Sequence, residues 1–317
     1  MTPKLSLLGG DTLVISPSQL EEIKRCPRAW LYRYIFRRVK VGAHGAREGG
    51  KAFDAAMNMR YTKLGSSPVL AGSELEHAMK QAIDDGFAGL DLPLEEYRTP
   101  VLYKSVLDAY NQQWGREAFE VVGVQVPLAV PLGVVAGVQV VLQGIPDMLV
   151  RQPDGQVYVW DSKTMNDWSD RKLVEWENNS QTKSYAWGFQ ELARLHPELG
   201  LPERIAGFML NAIIIRKPSD SPRVKLPRIE FRRPVFLYTQ EQLEEWRTDA
   251  LAWIGMALQW VANDHFPQNE KSCANHYGKA CPYLGVCTFP KHQREMILGS
   301  DEYGDYEKGP LQSPTLI

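Results

Sequence analysis

The sequence predicts an α/β fold that combines a central β-sheet with helices. Val138–Lys163 contains two strand-like runs joined by a Pro153-Asp154-Gly155 turn, which is a hairpin pattern. Ile205–Arg216 is an almost continuous apolar run with the length and β-branched content of a buried strand. Much of the remaining chain has helical periodicity, most clearly over Thr239–Ala262. Together these patterns favour a layered α/β protein.

The composition is that of an ordinary globular protein. The chain has 317 residues, of which 44% are hydrophobic and 23% are charged. Its net charge is −2 and its pI is about 6.3, so any contact with nucleic acid would have to come from local basic patches. The sequence has no secretory leader and no apolar run of the roughly 18 residues that a membrane span needs. We therefore expect an intracellular, cytoplasmic protein that makes no membrane contact.

Residues 16–61 are expected to form the N-terminal helices. Ser16 and Pro17 supply a cap and a first-turn proline, and Pro27 should interrupt the helix directly after Cys26. In Arg28–Lys40, basic residues are interleaved with aromatic ones, a composition that suits a nucleic-acid backbone and its bases. An amphipathic helix with its rings in the core and its arginines in water would give the same pattern, so the sequence leaves both interpretations open.

We expect a single domain over residues 1–297 and a disordered acidic tail over residues 298–317. Within the domain, residues 62–118 are interpreted as a helical insertion and residues 119–235 as the core that carries the sheet. Residues 236–297 would add a C-terminal helix and a cysteine-containing segment. A basic segment of the core runs from Arg216 to Arg233 and is either an exposed loop or a contact for phosphates.

The Val138–Lys163 hairpin is predicted to bring three charged residues together. If the hairpin turns near Asp154, Asp147 lies opposite Asp161, and Lys163 lies two residues further along the same face. Two carboxylates at close range are unfavourable unless a cation lies between them, and hard ions such as Mg²⁺ or Mn²⁺ prefer carboxylate oxygen. The alternative is an exposed hairpin on which these residues are ordinary surface charge.

The sequence Gly-Ile-Pro-Asp ending at Asp147, followed by Asp-Ser-Lys beginning at Asp161, resembles the PD-(D/E)XK motif of RecB-type exonucleases. The resemblance implies a restriction-endonuclease-like core, in which a mixed central β-sheet is flanked by helices. It implies that Asp147 and Asp161 bind Mg²⁺ or Mn²⁺, aided by Asp54 and the carbonyl group of Ser162. Lys163 would orient the attacking water and stabilise the transition state.

Two further motifs carry the same resemblance. Gly50–Met57 is similar to the family's Gly-x-x-x-His-Ala-Ala helix, with Asp54 in place of histidine. An aspartate can also bind a hard cation, although Asp54 could equally be a surface acid. Gln181 and Tyr185 share a helix face and match the family's Gln-x-x-x-Tyr motif, which implies that they position the DNA strand. Gln125 stands where the family often has glutamate and is interpreted as a structural residue.

The four cysteines form a one-plus-three pattern: Cys26 near the N-terminus, then Cys273, Cys281 and Cys287. Disulfides are rare inside cells, so clustered thiols indicate a metal or an iron–sulfur cluster. The pattern is similar to the 4Fe-4S staple of AddAB-type and CRISPR-associated RecB-like nucleases, which implies a structural cluster joining the N- and C-terminal segments. A four-cysteine zinc site and unliganded buried thiols are the alternatives.

The resemblance implies a metal-dependent DNA exonuclease that acts in recombination, repair or replication and associates with the nucleoid. Its substrate would be single-stranded DNA or DNA ends. The chain has no G-x-x-x-x-G-K-[ST] phosphate loop, so unwinding would come from a helicase partner or from other recombination or replication proteins. The alternatives are a catalytically silent DNA-binding or scaffolding module of such a complex, and a zinc-stapled protein without a nucleic-acid role.

Overall fold

The computed structural model describes residues 12–41, 45–66, 73–94, 96–218, 227–274, 280–299 and 306–309. The strands of these residues are β1 (Thr12–Ile15), β2 (Arg38–Lys40), β3 (Glu120–Val124), β4 (Leu128–Val135), β5 (Val138–Gly144), β6 (Met148–Arg151), β7 (Val157–Met165), β8 (Gly207–Arg216), β9 (Arg228–Arg232), β10 (Val235–Leu237) and β11 (Tyr306–Lys308).

The α-helices of the same residues are α1 (Pro17–Arg25), α2 (Pro27–Trp30), α3 (Gly45–Ser66), α4 (Ser73–Phe87), α5 (Pro100–Trp114), α6 (Asp170–Glu177), α7 (Ser180–Leu195), α8 (Gln240–Ala262), α9 (Leu284–Cys287) and α10 (Lys291–Gly299). The side chain of Ser16 accepts a hydrogen bond from the Gln19 N–H, as its predicted role as a cap requires. Among the residues that the structure describes, none of the helices combines the length and the apolar composition needed to cross a membrane.

The chain forms two compact units. The first, called here the terminal unit, comprises Met1–Gly42, Leu128–Gly144 and Gln240–Ile317, and the second, the central unit, comprises Ala43–Pro127 and Ile145–Thr239. Leu128–Gly144 therefore groups with the two ends of the chain, although the sequence assigned it to the 119–235 core.

The sheets of both units are mixed, which confirms the expected α/β class. In the central unit the strand order is β10-β8-β7-β6-β3, with β9 also paired to β8. The β7–β8 pair is parallel, whereas β6 runs antiparallel to β7. In the terminal unit β5 lies between β1 and β4, parallel to β1 and antiparallel to β4.

The core of the central unit lies between its sheet and helices α3, α4 and α5. Phe53 of α3 and Tyr103 of α5 are fully buried, as are Trp160 of β7 and Ile213 of β8. Nine of the ten residues of β8 are buried, as expected for an apolar strand in the interior of a sheet. This packing fixes β7 at the centre of the unit.

The predicted hairpin is divided in the structure. Its turn is confirmed, because β6 and β7 pair across Gly155, which has a φ of 83°. The strand before the turn is interrupted between β5 and β6, and these two strands belong to different units. Pro146 lies in the interruption, and a proline has no N–H to continue a strand ladder. Asp147 is therefore placed at the beginning of a new strand rather than inside a long one.

Hydrogen bonds join the two ends of the chain within the terminal unit. The Arg25 carbonyl accepts bonds from Asn269 and Ser272, at 2.7 and 2.9 Å. β11 pairs antiparallel with β2, and the ring of Tyr306 stacks on Tyr283 with 5.7 Å between ring centroids. The expectation of a disordered tail is thus wrong for residues 306–308, because their backbone completes a strand pair. Residues 300–305 and 310–317 lie outside the described residues.

Arg98 forms hydrogen bonds to the ends of β7 and β8, and these contacts lead to a first prediction. Its guanidinium is buried and donates to the carbonyls of Met165 and Ile215, each at 3.2 Å. Arg98→Met should lower the free energy of unfolding by about 2–4 kcal/mol, since it leaves buried acceptors unsatisfied. The exposed Arg232→Met is the matched control and should change it by less than about 0.5 kcal/mol. Urea denaturation measures both, and equal stabilities would contradict this role for Arg98.

Candidate active site

The carboxylates of Asp147 and Asp161 lie where β6 begins beside β7. Met148 pairs with Trp160, so Asp147 comes just before the ladder and Asp161 just after its partner position. Oδ2 of Asp147 accepts a hydrogen bond of 2.6 Å from the backbone N–H of Ser162. This bond ties the start of one strand to the middle of its neighbour, so the structure brings Asp147 and Asp161 together as the register predicts.

Asp161 is a buried carboxylate whose partner is Lys163. It is 3% exposed, and its Oδ2 contacts the ammonium of Lys163. Burial, and then repulsion from Asp147, raise the pKa of Asp161 to about 7 despite the opposing effect of Lys163. Lys163 therefore covers this buried oxygen, and a cation that bound there would have to take the place of the ammonium.

The carboxylate of Asp54, on α3, interacts electrostatically with the same charged residues. Burial raises its pKa to about 8, and the charges of Asp147 and Asp161 add to the effect, while Lys163 opposes it. The three carboxylates conversely raise the pKa of Lys163. The site thus holds three carboxylates and one ammonium that all interact.

This donor set fits a hard divalent cation. Such an ion takes carboxylate and carbonyl oxygens, which Asp54, Asp147, Asp161 and Ser162 supply. Its charge would offset the repulsion that now raises the pKa values of the buried acids. As they stand, no three His, Cys, Asp or Glu side chains in the described part of the chain are arranged as a formed metal site.

Gln181 and Tyr185 lie on α7, the helix that packs against β7 and β8. Tyr185 is 5% exposed, and Gln181 lies one helical turn before it on the same helix. Burial raises the pKa of Tyr185, and the negative charge of Asp161 raises it further. The phenol is therefore neutral and lies within electrostatic reach of the carboxylates. Both predicted residues are placed at the same group of side chains.

Gln125 also reaches the site, through its backbone. It has a φ of 48°, in the left-handed region, and its N–H donates a hydrogen bond of 2.8 Å to the carbonyl of Asp147. This contact supports the interpretation of Gln125 as a structural residue.

Side chains of two basic segments are less exposed to solvent than their sequences indicate. In Arg28–Lys40 the rings of Trp30 and Tyr32 are buried, and Arg28 is bonded to the carbonyl of Phe266, as in the amphipathic alternative. In the 216–233 segment, Arg233 is 12% exposed and forms an ion pair of 2.8 Å with Glu117. Part of this segment, residues 219–226, lies outside the described residues.

One polar residue near the site was not found by sequence reasoning. Asn211 is fully buried in β8, and its Nδ2 donates to the hydroxyl of Ser162 at 3.1 Å. Its place as a single amide in an otherwise apolar strand could have indicated it. A buried amide costs free energy unless it is hydrogen-bonded, so a polar partner nearby was to be expected.

The four cysteines converge in the terminal unit. Cys26, Cys273, Cys281 and Cys287 are free thiols, and all four line one small cavity of about 10 Å³. Nε2 of Gln268 lies 3.2 Å from Sγ of Cys273, and the Cys281 N–H donates to the Cys273 carbonyl at 2.7 Å. Residues 275–279, between two of the cysteines, are outside the described part.

The thiols are a suitable ligand set for a soft metal centre. Burial raises the pKa of Cys281 to about 11, and charge on Cys26 or Cys287 raises it further. Without a cation the Cys281 thiol stays protonated at neutral pH, whereas a metal would stabilise its thiolate. As they stand, the cysteines in the described part of the chain are not arranged as a formed metal site.

When the chain is compared with known protein families, one family matches. The profile of the PD-(D/E)XK nuclease superfamily matches residues 14–288. No curated protein matches the chain at a significant level.

The solved structures that resemble the chain include two named proteins. One is the crystal structure of SSO0001, with 14% identity, 78% coverage of each chain and a TM-score of 0.31. The other is a protein from Eubacterium rectale named "putative exonuclease", with 13% identity, 82% of this chain and 85% of that chain covered, and a TM-score of 0.45. At this level of similarity neither structure says what the present chain does.

Proposed function

Because this chain belongs to the PD-(D/E)XK nuclease superfamily, we propose that it is a divalent-metal-dependent DNA exonuclease of the RecB-like type. The observation that carries the proposal is the convergence of Asp147, Asp161 and Lys163, in which the Asp161 carboxylate is buried and paired with the Lys163 ammonium. A restriction-endonuclease-like core is consistent with the mixed sheet and flanking helices of the central unit. The match to the superfamily covers both the carboxylates and the cysteines.

Asp147 and Asp161 would hold one or two Mg²⁺ or Mn²⁺ ions, with Asp54 and the Ser162 carbonyl as further ligands. When bound, such an ion lowers the pKa of a water ligand and polarises the scissile phosphate. The hydrogen bond from the Ser162 N–H keeps Asp147 oriented toward the site. The ligand set thus combines a buried acid with one that the backbone holds in place.

Lys163 would orient the attacking water and offset the negative charge that develops on the phosphate. Its pKa is raised by the surrounding carboxylates, so it carries a positive charge throughout the neutral range. Gln181 and Tyr185, which lie one helical turn apart on α7, would position the DNA strand beside these groups. A neutral phenol and an amide can contact a phosphate without adding negative charge.

The proposal is tested by digesting end-labelled linear DNA and closed circular DNA with Mg²⁺, Mn²⁺ or EDTA. We expect linear DNA to be degraded from an end only when a divalent ion is present, and circular DNA to be spared. Labels at the 5′ and 3′ ends report the polarity, and single- and double-stranded substrates report the preferred form. Cleavage that persists in EDTA, or that opens circles as fast as it shortens linear strands, would contradict this function.

A catalytically silent DNA-binding or scaffolding module is the second candidate. Asp54 stands where the resembling motif has histidine, and Gln125 stands where it often has glutamate. DNA binding by gel shift, with no cleavage under any metal condition, would identify this alternative. In either case a helicase or other recombination, repair or replication proteins would be the partners, and the protein would act in the cytoplasm at the nucleoid.

We further propose that Cys26, Cys273, Cys281 and Cys287 hold a structural metal centre, with a 4Fe-4S cluster as the first expectation and zinc as the alternative. The shared cavity of the four sulfurs supports this proposal. Such a centre would join α1 and α2 to the C-terminal segment of the same unit.

A further inference from the structure

Asn211 is a polar residue at a position in β8 where an apolar side chain would serve the fold equally well. It lies in the middle of β8, whose sequence is GFMLNAIIIR, and is fully buried. An unpaired buried amide would destabilise the fold, so its hydrogen bonds indicate what it is held for. Both ends of the amide are bonded, one to Arg233 and the other to Ser162.

The orientation of the Asn211 amide is set by Arg233. Nε of Arg233 lies 3.3 Å from Oδ1 of Asn211, and because a guanidinium can only donate, the amide oxygen must face it. Nδ2 of Asn211 is therefore directed away from the arginine, toward Ser162.

Arg233 is itself held on several sides. Two of its nitrogens each donate a 2.8 Å hydrogen bond to one oxygen of Glu117, and the same group donates to the Tyr110 hydroxyl at 2.7 Å. The centre of the guanidinium lies 3.7 Å from the ring centroid of Trp114 and 4.7 Å from that of Trp160. A planar cation bonded and stacked in this way has little freedom to move.

The chain of contacts ends at the proposed metal site. Ser162 is the strand partner of Asn211, and its hydroxyl accepts from Nδ2 of Asn211 at 3.1 Å and from Nε1 of Trp160 at 3.4 Å. The backbone N–H of the same serine holds Asp147, and its neighbours in β7 are Asp161 and Lys163. Fixing the Ser162 side chain therefore fixes the peptide that joins the site residues.

We propose that Asn211, oriented by Arg233, is a positioning residue that holds the Ser162 peptide in the geometry needed to bind the divalent ion. The inference rests on the proposed function, since it concerns the same site. Asn211 contacts neither the ion nor the substrate, and it acts through Ser162. Groups outside the ligand set that orient a ligand commonly change metal affinity or activity by about 10–100-fold when removed.

The test uses Asn211→Leu, which is close in size and has no hydrogen-bonding groups, and Ser162→Ala, which keeps the backbone. We expect each variant to bind Mn²⁺ about tenfold or more weakly than the wild type by isothermal titration calorimetry, without DNA present. At saturating Mn²⁺, kcat should fall while the KM for DNA stays unchanged. The double variant should bind no more weakly than Asn211→Leu alone, because both changes break one contact.

Ile213→Ala is the matched control, since it removes a fully buried side chain from the same strand and leaves Asn211 intact. It should lower the melting temperature but bind Mn²⁺ like the wild type. Wild-type affinity in Asn211→Leu and Ser162→Ala, or an equal loss in Ile213→Ala, would overturn the inference in favour of a general structural role. If Asn211→Leu does not fold, Ser162→Ala decides. A wild-type protein that binds no Mn²⁺ would overturn the proposed function together with this inference.

Discussion

Asp161→Asn is expected to abolish DNA cleavage and, at the same time, to stabilise the metal-free protein. Cleavage should fall on the order of 1,000-fold or more, because the change removes one of the two principal carboxylate ligands and the partner of Lys163. Stability should rise because the wild-type carboxylate is buried and repelled by Asp147. Cleavage rates and melting temperatures measured on the same protein samples test both effects.

The pH dependence of that stability follows from the direction of the pKa shift. Asp161 titrates at about 4 in an unfolded chain, and its pKa is raised to about 7 in the folded protein. The folded state therefore holds the proton more tightly, so metal-free wild-type protein should lose stability as the pH rises from about 4 through 7. Asp161→Asn lacks this contribution, and its advantage should be largest above pH 7 and absent below about pH 4.

Asp249→Asn is the matched control, because Asp249 is exposed on α8. It should leave cleavage and melting temperature unchanged. Full cleavage activity in Asp161→Asn would rule out this carboxylate as a ligand. If Asp161→Asn melts at a lower temperature than the wild type at pH 8 in EDTA, the result would contradict the expected stabilisation. It would show that Lys163 alone compensates the buried charge of Asp161.

Cys281→Ser is expected to remove a bound metal centre and to unfold part of the terminal unit. Protein purified without air should contain iron and be brown if the four thiols hold a 4Fe-4S cluster, whereas a zinc protein should be colourless with one zinc per chain. The serine variant should lose the metal and melt well below the wild type, since the binding free energy of a structural metal is also folding free energy. Elemental analysis, visible absorbance and thermal melting measure these effects.

Ala274→Ser provides the control for the cysteine variant, because it places a serine at an exposed position directly after Cys273 and leaves all four thiols in place. It should keep both metal and melting temperature. Wild-type protein that is purified without metal and melts at the same temperature as Cys281→Ser would show that the four thiols are simply buried side chains.

The sequence was informative where a local rule determines the geometry. A turn at Pro153-Asp154-Gly155 and the two-residue period of strands are enough to place Asp147 near Asp161, and the structure has that register. The four-residue spacing of Gln181 and Tyr185 likewise places both on one side of α7. These relations depend on neighbours along the chain or across one turn.

The sequence was less informative where the outcome depends on distant partners. Arg233 looked like part of an exposed basic segment, but Glu117 and two indole rings bury it, and none of these is close to it in the chain. Tyr306–Lys308 looked disordered because no local pattern reveals the edge of β2 with which it pairs. The division between β5 and β6 depends on which unit each strand joins, which a hydrophobic pattern does not record.

The acids of the site illustrate why function and stability can oppose each other. Three carboxylates share one partly buried region with a single ammonium, and burial raises the pKa values of Asp54 and Asp161. Such an arrangement weakens the metal-free fold, which is common where a site must bind an ion. A bound divalent cation would reverse the effect, so Mg²⁺ should raise the melting temperature at neutral pH.

The central claim, that Asp147 and Asp161 jointly hold a divalent ion, is tested most directly by an anomalous difference map from crystals grown with Mn²⁺. We expect a peak about 2.1 Å from a carboxylate oxygen of each residue, as for small octahedral divalent ions, with the Ser162 carbonyl as a further ligand and Lys163 displaced from Asp161. A map with no peak at these oxygens at millimolar Mn²⁺, and with Lys163 still paired to Asp161, would contradict the account.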